Sequence, residues 1–277
     1  MASKVPRGPL VVGGGFVYAG ACALAFSVFN SGNKNVKETK QHLQEQREKD
    51  PNFSFVSDPC RACQFQNVAN KYDKEIGRDE SVMGINMLRR SLLYFHAKGL
   101  VLEVGAGTGR NVDYYPSSVD RVLLMDLSDK MLEEAKKKLH KDRKTQFACV
   151  VGDSSSLNFP DDSFDSVVDT FGLCSYDDPV AVLKEMSRVC KPGGKILLLE
   201  HGRSKTWDSI SQYLDRNAER HARNWGCVWN RDLDKILEQA GLSPEKLITW
   251  HFGTTYYVVC KPSDITQTEV QTQAVAL

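Results

Sequence analysis

Gly99-Leu-Val-Leu-Glu103-Val-Gly105-Ala-Gly107-Thr-Gly109-Arg110 is the stretch from which the rest of the chain is read. Leu100 to Val104 is a short apolar run opened by glycine, the pattern of a strand buried on both faces. Gly105, Gly107 and Gly109 then fall at alternate positions. Glycine tolerates positive φ and lets the backbone approach a ligand with no Cβ in the way. The order predicts a strand, a glycine loop and a helix opening near Arg110, its free N–H groups facing the loop. A dinucleotide fingerprint would put a third glycine or alanine three residues after the second. That position is Arg110, too large for the slot.

Outward from this unit, the chain of 277 residues has room for one large domain with attachments. Its 41% hydrophobic and 26% charged content is ordinary for a globular protein. A net charge of +1 gives no reason to expect nucleic acid. The eight cysteines are dispersed, which suits a reducing compartment.

Residues 10–29 form an uncharged, mostly apolar segment long enough to span a bilayer as a helix. A basic start, 1–9, precedes it with Lys4 and Arg7, and no acid occurs before Glu38. Three readings follow: a single-pass anchor, a secretory signal peptide cut near Ala23-Leu-Ala25, or a mitochondrial leader running into an anchor. Residues 30–64 read as a polar linker, broken at Asp50-Pro51-Asn52. Cys60 and Cys63 make a CxxC pair, but no second pair is spaced to complete a zinc site, and they read as ordinary cysteines. Residues 263–277, rich in Thr and Gln, read as a disordered tail.

Between linker and tail, strand and helix patterns alternate. Val82 to Ala97 is an amphipathic helix with Arg89 and Arg90 on its solvated face. Strands follow at Arg121–Asp126, Thr145–Val151, Phe164–Thr170, Lys195–Glu200, Leu247–Trp250 and Thr255–Cys260. Helices fall at Lys130–His140, Val180–Cys190 and Arg231–Ala240, with Ser128 capping the first. Seven strands in this order fit a doubly wound, mostly parallel α/β sheet ending in an antiparallel hairpin. Asp126 ends the second strand about 20 residues after the loop opens, where a carboxylate accepts both ribose hydroxyls of a nucleoside.

The motifs Glu103–Asn111, Met125-Asp-Leu-Ser128, Gly152-Asp153, Phe159-Pro-Asp-Asp-Ser-Phe-Asp165 and Lys191-Pro-Gly-Gly194 together resemble class I S-adenosylmethionine (SAM)-dependent methyltransferases, in their UbiE-like branch. The resemblance covers about Asn67 to Pro262 and implies a Rossmann-like methyltransferase domain over 65–262. It implies SAM as cofactor, held by Glu103, Gly105, Ala106, Gly107, Thr108 and Gly109. Asp153 would take the adenine amino group, with the neighbouring backbone at Gly152 and Ser154 completing the base pocket. Leu127 and Met131 would pack on the adenine ring, and Thr170 would line the methionine end. The segment around Asn67–Asp73 would form part of a lid.

Further likeness is to membrane-anchored members. One group is the Oms-type methyltransferases of the mitochondrial inner membrane, through Ala69–Asp73, Leu88–Arg90 and the run to Tyr115. The other is the anchored methyltransferase-like proteins of the endoplasmic reticulum, some of which methylate thiols, through Glu200-His201, Trp225-Gly-Cys227 and Arg231. Gly202–Asn230, in the place of the substrate segment, carries no quinone-ring pattern. Secretion would leave an odd number of cysteines and remove the enzyme from SAM, which favours the uncleaved anchor.

The expectation is a membrane-tethered enzyme that methylates a small, apolar or membrane-associated acceptor such as a thiol, phenol, quinone or lipid. The alternative is a mitochondrial assembly factor that keeps the fold without turnover. Methyl transfer needs mainly alignment. If the acceptor must lose a proton, His201, directly after the fifth strand, is the candidate base, ahead of His221 and His251. Cys174 receives no catalytic role, and spacing reveals no metal-ligand cluster.

Overall fold

A computed structural model describes residues 61–139 and 144–263. The anchor expected at 10–29, the linker up to residue 60 and the tail beyond Ser263 lie outside the described residues. Among the described residues, no helix is long and apolar enough to cross a membrane.

The elements are α1 (Arg61–Val82), α2 (Ile85–His96), β1 (Gly99–Val104), β2 (Val119–Asp126), α3 (Asp129–Lys137), β3 (Gln146–Val151), β4 (Phe164–Thr170), α4 (Pro179–Val189), β5 (Cys190–His201), α5 (Asp208–Trp225), α6 (Leu233–Gln239), β6 (Pro244–Trp250) and β7 (Thr255–Cys260). One seven-stranded sheet runs in the order β3-β2-β1-β4-β5-β7-β6. The first five strands pair in parallel and β7 is antiparallel to both its neighbours. Strand order reverses between β1 and β4, so a crevice opens there at the carboxyl ends.

The uninterrupted apolar runs are explained by helices on both faces. Leu102, Val104, Leu198 and Val258 pack beneath α4 and α6 against Leu183, Met186 and Ile236. Their alternating neighbours Val101, Leu197, Leu199 and Val259 pack on the other face with Leu92 and Leu93 of α2 and Leu132 of α3. Each such fully buried side chain contributes roughly 1.5–3 kcal/mol. Ser128 caps α3 by accepting from the Met131 N–H at 3.2 Å. Asp178 caps α4 from Ala181 at 2.9 Å, with Pro179 in the first turn.

Four elements differ from expectation. The helix expected at Arg110 is a single 3-10 turn, Val112–Tyr114. Pro116 prevents its continuation, and Asn111 and Tyr115 turn back to Glu103 instead. β5 begins at Cys190, before the expected turn, and a register shift opposite Phe164–Ser166 absorbs the extra residues. α1 starts at Arg61, so the end of the predicted linker is helix. α5, inside the segment Gly202–Asn230, was not anticipated as a helix.

Candidate functional site

The crevice at the switch point has a volume of about 340 Å³, within the range of small-ligand sites. Its lining brings together Glu103, Gly105, Ala106, Gly107, Thr108, Asp126, Leu127, Met131, Asp153, Ser154 and Thr170 from the expected set. Gly109 and Gly152 do not line it. A Cβ on Gly109 would lie 3.0 Å from the Ala135 Cβ, and one on Gly152 would lie 2.9 Å from the Met125 sulfur.

The loop conformation depends on glycine at its first position. Gly105 has φ +56°, and an added Cβ would come within 2.4 Å of the Tyr176 hydroxyl. Asp126 then fixes the loop from below. Its Oδ2 accepts the Gly107 N–H and its Oδ1 the Ser128 N–H, both at 2.8 Å. Each carboxylate oxygen has two lone pairs, so one on each is left over. Burial pushes this carboxyl up, against the two backbone donors.

Glu103 sits deeper. Tyr115 donates to its Oε2 at 2.5 Å and Asn111 to its Oε1 at 3.0 Å. Burial raises its carboxyl to about 7, against these donors and Arg89. Asp153 is exposed at the far end, where it accepts from the Ser155 N–H and hydroxyl at 2.8 and 2.7 Å. Leu127 lines the crevice with 55% of its surface exposed, whereas Met131 is buried.

One wall was not foreseen in detail. Arg89, expected on a solvated face, is only 3% exposed. It pairs with Glu80 at 2.9 Å and donates to Asn111 Oδ1 at 3.1 Å and Thr170 Oγ1 at 2.6 Å. Its guanidinium lies 5.0 Å from the centre of the Phe171 ring. The sequence does carry a signal: Ile85, Arg89 and Leu92 share helical spacing, so the arginine stands on the apolar stripe. Arg110 completes the wall by pairing with Glu80 at 2.8 Å and Asp73 at 3.1 Å. Thr108 donates to Asp73 at 2.6 Å, and Lys138 also pairs with Asp73. Glu80 is held below the ordinary glutamate range because Arg89 and Arg110 outweigh its burial. These bonds strap α1 across the loop and bring Phe65 and Tyr72 into the lining.

Phe171, next after β4, has φ +60°, a conformation that costs a bulky residue about 1–3 kcal/mol and is found at functional sites. Beneath it lie two fully buried acids, Asp169 and Glu200. Glu200 accepts the Gly172 N–H at 3.1 Å. Burial pushes both carboxyls well up, and Asp169 pushes Glu200 further. Each acid interrupts the apolar run of a central strand, which is the trace they leave in the sequence.

His201 does not line the crevice. Its ring stands edge-on to Phe171 at 5.4 Å, and its Nε2 lies 2.9 Å from the Cys227 sulfur, with Cys174 alongside. Residues 174, 201 and 227 are far apart in the chain, so spacing does not reveal this cluster. His221 stacks on Trp229 at 3.9 Å, and burial lowers it to about 4. His251 bridges Thr255 Oγ1 at 2.7 Å and the Met83 carbonyl at 2.9 Å. Cys60 lies outside the described residues.

A family model described as "Methyltransferase domain" matches residues 102–198. Methyltransferase OMS1, mitochondrial, of Saccharomyces cerevisiae is 37% identical over 71% of this chain and 45% of its own length. Ubiquinone/menaquinone biosynthesis C-methyltransferase UbiE of a Marinomonas species is 31% identical over 74% of this chain and 87% of its own. The chain thus spans about half the length of the first of these relatives and most of the second. A solved structure of a SAM-dependent methyltransferase from Thermotoga maritima superposes with a TM-score of 0.55 at 18% identity, covering 72% of this chain and 98% of that one.

Proposed function

Because the chain belongs to the class I SAM-dependent methyltransferases, in the branch that includes UbiE, we propose that it is a membrane-tethered enzyme that transfers the methyl group of SAM to a small, apolar acceptor. The observation that carries the reading is the Asp126 carboxylate at the tip of β2. Gly107 and Ser128 take one lone pair on each oxygen. The remaining two suit the adjacent hydroxyls of a ribose. Exposed Leu127 offers an apolar surface to a purine, and Asp153 at the outer end accepts from its amino group. Gly105 to Gly109 leave the backbone open to the methionine moiety, with Glu103 below it and Thr170 at its end.

SAM supplies an already activated methyl group, so the protein's part is alignment. Phe65, Tyr72 and Phe171 make the acceptor side aromatic, which fits an apolar molecule better than a protein chain. His201 takes no part in the transfer, since its Nε2 is engaged by Cys227. Residues 10–29 serve as the single-pass anchor that brings the domain to acceptors dissolved in a bilayer. Similarity to OMS1, whose name places it in mitochondria, supports a mitochondrial location over the endoplasmic reticulum.

The test is calorimetry of SAM binding to the full chain in detergent, beside Asp126→Ala. Hydrogen bonds to a charged group are worth about 1.5–3 kcal/mol, so the variant should bind at least about tenfold more weakly. Binding by the wild type licenses a screen of thiols, phenols, quinones and lipids for transfer of a labelled methyl group. A folded wild-type protein that does not bind SAM refutes the proposal and leaves an assembly factor without turnover.

A further inference from the structure

Three side chains unused by the transfer converge behind the Phe171 ring. Cys174 follows β4, His201 closes β5 and Cys227 lies just beyond α5. One ligating atom from each lies within 4.8 Å of the other two. Both cysteines are buried, and His201 is half-buried. The three positions are fixed by the fold. The Val228 N–H donates to the Cys174 carbonyl at 2.8 Å, which ties the two cysteine segments together. Gly226, in a left-handed conformation, ends α5 and turns the chain inward at Cys227. On either side of Cys174 in the β4–α4 connection, Phe171 and Ser175 line the crevice.

Among the described residues, two thiols and one imidazole form a donor set for a thiophilic cation, and three protein ligands with the fourth position left to water or substrate is the arrangement of catalytic rather than structural zinc. We propose that Cys174, His201 and Cys227 bind a single zinc ion whose fourth position opens toward the acceptor end of the crevice. Only the direction of that fourth position rests on the methyltransferase reading. The metal-binding itself does not. Binding replaces both thiol protons, which leave to solvent. The 2.9 Å between His201 Nε2 and Cys227 Sγ is hydrogen-bond spacing. It must widen to about 3.5 Å to accommodate tetrahedral Zn–N and Zn–S bonds, a side-chain adjustment.

The experiment uses the full chain, purified in detergent without chelators and under reducing conditions. Elemental analysis should find zinc stoichiometric with protein. After chelation, titration with cobalt(II) should produce thiolate charge-transfer and tetrahedral d–d bands. Cys174→Ser and Cys227→Ser should each abolish the bands, while Cys149→Ser, on β3, should keep them. SAM calorimetry on the same preparations reports whether the variants are folded. Should they be unfolded, cobalt uptake by the chelated wild type decides alone. A wild type that binds SAM yet takes up neither metal overturns the proposal. So does a Cys174–Cys227 disulfide in the protein isolated under these reducing conditions, found by thiol counting and mass spectrometry. Metal uptake without SAM binding would leave the zinc site standing and refute the methyltransferase reading instead.

Discussion

Arg89→Met tests whether the wall of the crevice is built as described. The substitution keeps an unbranched apolar stem of similar reach and removes the guanidinium. Lost with it are the pair to Glu80 at 2.9 Å, the bonds to Asn111 and Thr170, and the cation over Phe171. Removing one member of a buried pair costs about 3–5 kcal/mol. Here Arg110 still neutralises Glu80 at 2.8 Å, which brings the expected loss to about 3 kcal/mol. For a domain of this size that lowers the melting temperature by roughly 6–12 °C. Acid should shrink the difference. The pairs hold Glu80 below the ordinary glutamate range, so their contribution is present at neutral pH. It is lost as pH falls through that lowered value, below the ordinary glutamate range. Thermal melts at neutral and acid pH, with exposed Arg90→Met as control, measure this. A variant within about 2 °C of wild type at neutral pH would show that Arg89 lies in solvent and that α1 is not strapped to the site.

Gly105→Ala should weaken SAM binding by about tenfold or more, since the new Cβ meets the Tyr176 hydroxyl and φ is positive; unchanged calorimetry would contradict the loop conformation. Glu103→Gln should flatten stability against pH. A carboxyl raised by folding to about 7 favours the fold while protonated and loses that stabilisation, up to about 3 kcal/mol, between its unfolded value and its folded one. Urea unfolding from pH 5 to 8 should therefore show the wild type losing more stability than the variant, and parallel losses would refute the assignment. Removal of residues 1–32 should release the protein from washed membranes with SAM binding retained. Continued tight association would place the membrane contact elsewhere in the chain.

What could be read from the sequence was what lies close together along it. The apolar strand, the alternate glycines and Asp126 belong to one continuous unit, and their roles follow from glycine's freedom and a carboxylate's lone pairs. Thr255–Cys260 was legible because β7 is buried on both faces. The helix after the loop was misread because side-chain hooks from Asn111 and Tyr115 to Glu103 replace helical bonds. Arg89 was misread because a charge on an apolar stripe is buried only when Glu80 and Thr170 arrive from other elements to receive it. The approach of Cys174, His201 and Cys227 depends on strand order and on where α5 ends.

The strap from α1 has a practical side. The family model begins at residue 102, yet Phe65, Tyr72 and Arg89 stand in the wall of the crevice. Gln66 also reaches across to Asp129 at 2.6 Å. A fragment trimmed to the aligned span would retain the glycine loop, Asp126 and Asp153 with one side of the pocket open to water. Its silence in a binding assay would report where the scissors fell, not what the protein does.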